Sequence, residues 1–413
     1  MRKFCLCFFI VSSGVHGQAT PDTVLTLQQA FTMAEQYNPR LSVAGAEIDM
    51  ARAGLVTARA RPNPDANYMG GGQRLRRVGA YSGMLQHWGV SQLVELPSIR
   101  STRIEAAERN REVSERALEE ERLLLRGSVK QAFYQILRRR GEVALADETL
   151  RLVDDLRQRV QVQVEVGEAG QLELTRAEAE LSTARTFLRG SQLREAAALA
   201  ELRALLSAPV DSTLRPQAEL EPAIDLPAFA EVVRTALSLH PAVQRAEAEV
   251  SRSRARVDAE KALRIPQPIL IAEYEQMPDL RFFRAGVAIT LPVRNQRQGP
   301  VAEAVAELSR ANSARAAIEV ELRGAIERAY NTYQIATQQV NSFESGVLRG
   351  ARAALEGAEA AFRFGERGII EVLDAQRVLR SVRMDFLNAQ FDRQSALIEL
   401  EQLRAVNTGG NRP

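Results

Sequence analysis

Two carboxylates in the second half of the chain could form a cation-attracting constriction. Glu371 and Asp374 follow the segment Gly365–Gly368 and lie three residues apart in a stretch with helical periodicity. On a helix this spacing places both side chains on one face, and rings of carboxylates favour cations and resist anions. The alternative is that acidic residues early in a helix simply complement the helix dipole.

The residue types needed for enzymatic or metal chemistry are sparse. Both cysteines, Cys5 and Cys7, lie in an N-terminal segment, residues 1–19, that is typical of an export signal. The mature chain then has no thiol, and its two histidines, His87 and His240, form no pair or cluster. The sequence contains no Ser-His-Asp arrangement, phosphate-binding loop or dinucleotide fingerprint. It therefore predicts no enzyme, no cofactor and no metal site.

The composition excludes further classes of protein. The chain has 413 residues, with 54 Lys and Arg against 52 Asp and Glu. Because Arg2 and Lys3 belong to the export segment, the remainder is neutral, which gives no argument for nucleic-acid binding. After the first twenty residues, no stretch offers the ~18 uninterrupted apolar residues that a membrane-spanning helix needs.

An internal repeat organises the chain into two halves. Four segments of the first half recur in the same order about 200 residues later. They are Ala34–Ile48 with Ala236–Val250, Arg61–Pro64 with Arg264–Pro268, Gly89–Pro97 with Gly286–Pro292, and Val166–Glu173 with Phe364–Glu371. We predict a first repeat over 20–206, a proline-bearing linker over 207–227, a second repeat over 228–405 and a disordered tail over 406–413.

Each repeat is predicted to contain the same series of elements. A helical pattern of about 35 residues precedes a strand pair, a very long helix, a tight glycine turn and a returning helix. The helical patterns cover 25–60 and 226–263, the strand pairs 65–96 and 269–291, the long helices 98–166 and 299–364, and the tip turns 167–170 and 365–368, with returning helices to 206 and 405.

The long helices and the strands indicate two different environments. A helix of about 65 residues spans on the order of 100 Å, and its narrow apolar stripe is typical of a coiled coil. The strands have the length of membrane-spanning β-strands, and aromatic residues stand at or near their ends. These aromatic residues are Tyr68, Tyr81, Trp88, Tyr274, Phe282 and Phe283.

Four strands cannot close a barrel alone. If they enter a bilayer the chain must oligomerise, and three copies would supply twelve strands. The alternative is a small soluble sheet that caps a helical hairpin.

The chain resembles the TolC family of outer membrane factors over essentially its whole mature length. The second turn carries the resemblance, since Gly365–Ala375 reads GERGIIEVLDA and is similar to the TolC segment at the periplasmic mouth. Glu95–Ala107 and Leu291–Gly299 look like the CzcC/CusC heavy-metal efflux subgroup.

The resemblance implies a mainly α fold with a small β part. Each protomer would give four transmembrane β-strands to a 12-stranded β-barrel in a homotrimer, continued by a long α-helical coiled-coil barrel. The protein would lie in the outer membrane of a Gram-negative bacterium, in contact with lipid, with a large periplasmic extension. Its partners would be a periplasmic adaptor protein and an inner-membrane pump of the resistance-nodulation-division class, with no nucleic acid.

The resemblance also assigns roles near the tips. Glu371 and Asp374 match the acidic pair of the family's aperture, where a trimer would gather six carboxylates. Glu173 and Arg367 match a gate ion pair that ties neighbouring coils together in the closed state. Phe362 stands where the family has a gate tyrosine, and it cannot donate a hydroxyl hydrogen bond.

The two tip turns are expected to contact the adaptor, because they are the exposed ends of the longest elements. These residues are Gly167, Glu168, Gly170, Gly365, Glu366 and Gly368. Simple turn chemistry, in which glycine supplies a positive φ, is an alternative that is compatible with this role.

The resemblance predicts a passive exit duct, and its cargo stays open. The CzcC/CusC likeness suggests heavy-metal cations, while drugs, solvents and type I protein secretion are alternatives. A periplasmic coiled-coil scaffold or adaptor without a barrel is a further alternative.

Overall fold

The computed structural model describes residues 24–74, 81–208, 215–218 and 223–405. The predicted export signal, the predicted tail and parts of the predicted linker lie outside these residues. In the first repeat the elements are β1 (Val24–Leu25), α1 (Leu27–Tyr37), α2 (Pro39–Arg59), β2 (Asp65–Gln73), β3 (Gly83–Leu93), α3 (Pro97–Glu165) and α4 (Gln171–Leu206). They are followed by β4 (Arg215–Pro216), α5 (Phe229–Leu239), α6 (Pro241–Ala262), β5 (Pro268–Gln276), β6 (Arg281–Ile289), α7 (Gln298–Ser342), a π-helical segment (Phe343–Val347), α8 (Leu348–Arg363) and α9 (Ile369–Leu403).

The first helical segment of each repeat is divided in two, where the sequence predicts one helix. The breaks lie at Asn38-Pro39 and His240-Pro241, because the residue before a proline is driven out of the α region. Asn38 and His240 then cap the next helix: the Asn38 Oδ1 accepts a hydrogen bond from the Arg40 N–H at 2.9 Å, and the His240 Nδ1 accepts one from the Ala242 N–H at 3.2 Å.

The two long helices differ, although the sequence predicts the same element in both repeats. The first, α3, is one uninterrupted helix of 69 residues, or about 100 Å. The second is interrupted by the π-helical turn Phe343–Val347 between α7 and α8. A π turn inserts one residue into the helical ladder, so the side chains of α8 are rotated relative to those of α7.

Small and branched apolar side chains hold the helices together laterally. One cluster joins α1, α3 and α4, and its α3 members come from the stripe seen in the sequence, including Leu125, Val129 and Phe133. A second cluster lies near the tips and includes Leu156 of α3, Leu355 of α8 and Leu373 of α9. In the described ranges, no helix combines the length and apolar character that crossing a bilayer requires.

The linker contributes an element that the sequence does not predict. Arg215–Pro216 pairs in parallel with Val24–Leu25, so the start of the first repeat and the segment after it are joined by a two-stranded ladder. Leu25 is buried in the cluster formed by α1, α3 and α4.

The larger sheet is antiparallel, in the order β2-β3-β5-β6. Its register places Tyr68, Trp88, Tyr274 and Phe283 directly opposite one another in a row that crosses all four strands. Two other members of the predicted aromatic set stand outside this row. Tyr81 precedes β3, and alternation along β6 turns Phe282 to the other face, where the Arg284 guanidinium lies 5.1 Å from its ring.

The face with the aromatic row is apolar towards the helices and polar beyond the row. Ala66, Val90, Ala272 and Ala285 form the next row, followed by Leu270 and Val287 with Gln92 on β3, whose amide is bonded to backbone carbonyls, and then by Ile289. On the other side of the aromatic row stand Gly70, Gln86, Gln276 and Arg281. An apolar band that ends in aromatic residues is typical of strands that face lipid.

Candidate functional site at the helical tips

The two tip turns have the same geometry in both repeats. Gly167 and Gly365 have φ angles of 83° and 73°, which favour glycine. In each turn the following N–H groups bond back to one carbonyl, as in the Glu168 N–H to Gln163 C=O bond of 2.8 Å and the Glu366 N–H to Ala361 C=O bond of 2.9 Å. The recurrence of a glycine at this position in both repeats is therefore explained by its positive φ angle.

The second glycine of each turn is required neither by its backbone conformation nor by close packing. Gly170 and Gly368 have φ of −82°, which any residue adopts, and they precede α4 and α9 as N-caps. A Cβ on Gly368 would lie 3.7 Å from the Glu371 Oε2 and 4.0 Å from the Glu173 Oε1. The prediction that glycine supplies a positive φ is thus wrong for these two positions, while all four glycines and both glutamates of the turns, Glu168 and Glu366, are exposed or nearly so.

Glu371 and Asp374 lie on one face of α9, and each has an arginine of the same helix or turn beside it. The Arg367 Nη1 lies 3.7 Å from the Glu371 Oε1, and the Arg377 Nη1 lies 3.5 Å from the Asp374 Oδ1. The carboxylate side chains are 43% and 64% exposed. They are accessible to a passing ion, and exposed pairs of this kind contribute only about 0–1 kcal/mol, so that they exchange partners readily.

The structure does not bring Glu173 and Arg367 together within the chain. Among the described residues, the ion-pair partner of Arg367 is Glu371, whereas the Glu173 carboxylate is close to Gly368. The predicted gate pair between neighbouring coils stays a prediction. Phe362 packs partly buried against the cluster that contains Val160, Ala177 and Ile369, so the position of the expected tyrosine is apolar here.

A buried carboxylate that the sequence analysis missed links the two repeats near the tips. Glu180 of α4 accepts hydrogen bonds from the Arg377 Nη2 at 2.7 Å and the Arg380 Nη1 at 3.4 Å, both on α9. Its side chain is only 8% exposed. We call Glu180, Arg377 and Arg380 the cross-hairpin cluster, since it joins the α3–α4 hairpin to the α8–α9 hairpin.

The charges of the cross-hairpin cluster stabilise its ionised form. Burial raises the pKa of Glu180, but the hydrogen bonds and positive charges of Arg377 and Arg380 outweigh it, so that the pKa is lowered overall. The hydrogen bond and charge of Glu180 in turn raise the pKa of Arg377. Removal of either side would leave an uncompensated charge between two helices.

A sequence signal for Glu180 existed. Ala177, Leu181 and Ala184 are buried on the same stripe of α4, and Glu180 occupies a position of that stripe. A charge at an apolar position of a helix is rare without a partner. The partners come from α9, about 200 residues away, and no local pattern predicts that contact.

The described part of the chain has no group of three or more His, Cys, Asp or Glu that could hold a metal ion. The tip instead combines four carboxylates, Glu173, Glu180, Glu371 and Asp374, with three guanidinium groups, Arg367, Arg377 and Arg380. Such an arrangement attracts cations weakly and can change its pairing without chemical reaction.

Comparison with protein families gives one match that covers both repeats. The model described as "Outer membrane efflux protein" matches residues 31–208 and 232–405. The gap between the two matched segments includes the linker with β4.

Two curated proteins similar to this chain take part in metal resistance. The cobalt-zinc-cadmium resistance protein CzcC of Cupriavidus metallidurans is 27% identical over 368 residues, covering 88% of this chain and 86% of that protein. The nickel-cobalt-cadmium resistance protein NccC of Alcaligenes xylosoxydans xylosoxydans is 25% identical, covering 75% and 69%.

Solved structures share the fold at low sequence identity. A crystal structure of CusC has a TM-score of 0.78 at 20% identity, covering 92% of this chain and 91% of that one. A membrane protein from Pseudomonas aeruginosa has a TM-score of 0.79 at 20% identity, covering 92% and 93%. The fold predicted from the sequence, a long helical barrel with a small β part, is confirmed by these neighbours.

Proposed function

Because the chain belongs to the outer membrane efflux protein family, we propose that it is the passive exit duct of a tripartite efflux system and that its cargo is heavy-metal cations. One observation supports the duct above all others. A sheet with an apolar, aromatic-rowed face lies at one end of a helix of about 100 Å, and a charged tip lies at the other. A single element therefore connects a membrane level to a site deep in the periplasm.

A homotrimer completes the barrel in this proposal. In the order β2-β3-β5-β6, the edge strands β2 and β6 expose unpaired backbone groups, which a bilayer does not tolerate. An even number of strands in each copy lets β6 of one copy meet β2 of the next in the same antiparallel sense as the other pairs. Twelve strands in three copies enclose a lumen and leave no edge.

Glu371 and Asp374 form the selecting ring of the aperture in this proposal. Six carboxylates would gather about the threefold axis, but Arg367 and Arg377 already lie beside them in each chain. The ring therefore attracts cations less strongly than six unpaired carboxylates would. The attraction of the ring for cations increases when Arg367 and Arg377 pair with other carboxylates, as we expect when the tip hairpins move apart.

The exposed turns Gly167–Gly170 and Gly365–Gly368 are the proposed contacts of a periplasmic adaptor, through which an inner-membrane pump of the resistance-nodulation-division class supplies the energy. Glu168 and Glu366 occupy the same place in the two turns. An adaptor that reads both turns would meet six near-equivalent sites around a trimer.

Metal cations are the proposed cargo because both metal-resistance relatives resemble this chain over most of its length. The test is growth of a metal-sensitive strain that holds the neighbouring adaptor and pump genes but lacks this gene. Restored growth in zinc, cobalt, cadmium or nickel supports the proposal. Restored tolerance to drugs or solvents without metal tolerance would replace the cargo and keep the duct, and secretion of a protein would do the same.

The role of the aperture carboxylates is tested with the double variant Glu371→Gln and Asp374→Asn, which keeps the shape of both side chains and removes their charge. We expect it to reach the outer membrane in normal amounts and to lower metal tolerance. A variant that reaches the membrane and supports full metal tolerance would contradict the role of the aperture carboxylates.

A further inference from the structure

A second charged cluster lies on the sheet, far from the tip. The register places His87, Glu273, Glu275 and Arg284 on the face opposite the aromatic row. The Arg284 Nη2 lies 3.2 Å from the Glu273 Oε2 and 3.0 Å from the Glu275 Oε2, and the His87 Nε2 lies 3.8 Å from the Glu273 Oε1. We call these four residues the strand-face cluster.

The distribution of charge over the two faces is one-sided. Within β2, β3, β5 and β6, the charged or titratable side chains on this face are the strand-face cluster and Asp65. On the opposite face of these strands Arg281 is the one Asp, Glu, His, Lys or Arg residue, and it stands beyond the aromatic row. Charged groups at membrane depth face water or one another, so this face lines an aqueous space.

The neighbouring side chains on β2 and β3 add no further charge to the cluster. Beside it on β2 stand Met69 and Asn67, which carry no charge, and Gly89 on β3 has no side chain. A Cβ at Gly89 would lie 2.0 Å from the Asn67 Oδ1, so the glycine makes room for the Asn67 amide to lie across the strand. The Arg284 side chain is 55% exposed, while those of Glu273 and Glu275 are 30% and 24% exposed.

From this geometry we infer that the strand-face cluster is a second selectivity element, which favours cations over anions in the barrel and whose strength Arg284 limits. The inference depends on the proposed function, since it needs the sheet to line a duct. Two carboxylates against one guanidinium leave one negative charge in each chain when His87 is neutral. Repetition about the threefold axis collects these charges at one level of the lumen.

The strand-face cluster and the tip act independently. Helix α3 separates them by on the order of 100 Å, which is many times the Debye length of about 8 Å at physiological salt. The ratio of cation to anion permeability is therefore set by two filters in series, and each can be changed without the other.

The experiment measures reversal potentials of the purified full-length protein in planar bilayers under a KCl gradient, read from open-channel current. Arg284→Gln is expected to raise the cation-to-anion permeability ratio about two- to fivefold. The double variant Glu273→Gln and Glu275→Gln is expected to lower the ratio towards one. Arg281→Gln, the matched control on the same strand and the opposite face, is expected to leave it unchanged.

The outcomes separate the inference from the proposed function. Wild-type current with a ratio that neither Arg284→Gln nor the double glutamate variant changes would overturn the inference and leave the duct standing. A well-folded wild-type protein that never conducts would overturn the duct and the inference with it. Arg284→Lys keeps the charge, and a wild-type ratio in this variant attributes the effect to charge and excludes an effect of altered folding.

Discussion

We expect the arrangement of the two tip hairpins to depend more on Glu180 than on any of the exposed charges around it. It is buried between two hairpins and bound by two arginines of the other repeat. The exposed pairs around it, such as Arg367 with Glu371, are individually weak. Because a buried pair is costly to break by removal of one partner, the cross-hairpin cluster contributes more than its neighbours to holding the hairpins in this arrangement.

Replacing Glu180 with glutamine should loosen the tip. Glu180→Gln leaves Arg377 and Arg380 without a buried counter-ion. We expect the present arrangement of the two hairpins to lose about 1 kcal/mol per chain, since both arginines keep partial access to water. That loss corresponds to about a fivefold change per chain in the equilibrium constant between this arrangement and a looser one, which we expect to appear as a higher open probability of the channel. Single-channel recording measures it.

The control for this variant is Glu178→Gln on the same helix. The Glu178 side chain is 52% exposed and its nearest guanidinium, that of Arg157, is 3.9 Å away. We expect wild-type channel activity from it. An equal open probability in both variants would mean that the cross-hairpin cluster does not hold the two hairpins in this arrangement.

His240 offers a pH-dependent helix cap. Burial lowers the pKa of His240, and the neutral ring accepts the Ala242 N–H bond that begins α6. Because the folded-state pKa is below the ordinary value, this contribution is complete above about pH 6.5 and is lost as the pH falls through the lowered value. A cap of this kind is worth about 1 kcal/mol.

His240→Asn should keep the cap and remove its pH dependence. The equivalent residue of the first repeat, Asn38, already caps its helix in this way. We expect thermal unfolding at pH 7.5 to be unchanged, and the loss of stability on going to pH 5 to be smaller by about 1 kcal/mol. His240→Ala should be less stable at pH 7.5 and equally insensitive. If all three proteins lose the same stability at pH 5, the cap is not the sensor.

At the scale of elements, the ends of helices could be predicted where a proline or glycine acts on the backbone locally. Pro97 and the glycines Gly167 and Gly365 force the chain to change course, and the structure has helix ends within about one or two residues of the predicted ones at these places. The breaks at Asn38-Pro39 and His240-Pro241 had the same kind of signal, but the apolar period continues through them and hides the break.

Other features have no local signal. None of the side chains of the π-helical turn Phe343–Val347 is buried, and its sequence is that of an ordinary helix. The rows of the sheet depend on register between strands about 200 residues apart, so alternation along β6 separates Phe282 from Phe283 but does not predict that Phe283 stands in line with Tyr68, Trp88 and Tyr274. The cross-hairpin cluster cannot be predicted from local sequence for the same reason, because both partners of Glu180 come from the second repeat.

The two faces of the sheet should differ in access to water. Leu270 and Ile271 are adjacent on β5, with Leu270 on the apolar face and Ile271 on the face of the strand-face cluster. In proteoliposomes, Ile271→Cys should react with a charged thiol reagent on the order of tenfold faster than Leu270→Cys. A lipid-borne quencher should affect a fluorophore at Leu270→Cys more strongly. Equal rates would indicate a soluble sheet.

At the scale of the whole molecule, the candidate selecting sites lie at the two ends of the chain's long axis, and apolar packing together with ion pairs holds the helices between them. The described helices meet through small side chains such as Ala132, Ala177 and Ala351, which let helices approach closely. Ion pairs also join helices between the ends, such as Lys130 with Glu401 at 2.6 Å and Arg140 with Glu195 at 3.0 Å, while the charges of the tip and of the sheet face lie beyond them. Selection and passage can therefore be altered at either end without unfolding the middle.

The assembly itself gives the last prediction. If β6 of one copy pairs with β2 of the next, Phe283→Cys combined with cysteine at Ala66, Tyr68 or Gly70 should give, for at least one combination, a reducible cross-link between copies. The chain's own cysteines, Cys5 and Cys7, lie in the predicted export segment and do not compete. Mass measurement of the detergent-solubilised protein should give three chains.

Leu270→Cys on the interior strand β5 serves as the control, in place of Phe283→Cys and with the same three partners. It shares the apolar face but has β3 and β6 of its own chain on either side. It should form no link between copies, because no other copy can reach it. Cross-linking of Leu270→Cys as efficient as that of Phe283→Cys, or a mass of one chain, would mean that the strands do not close through their edges, since edge closure requires contact at β2 and β6 alone.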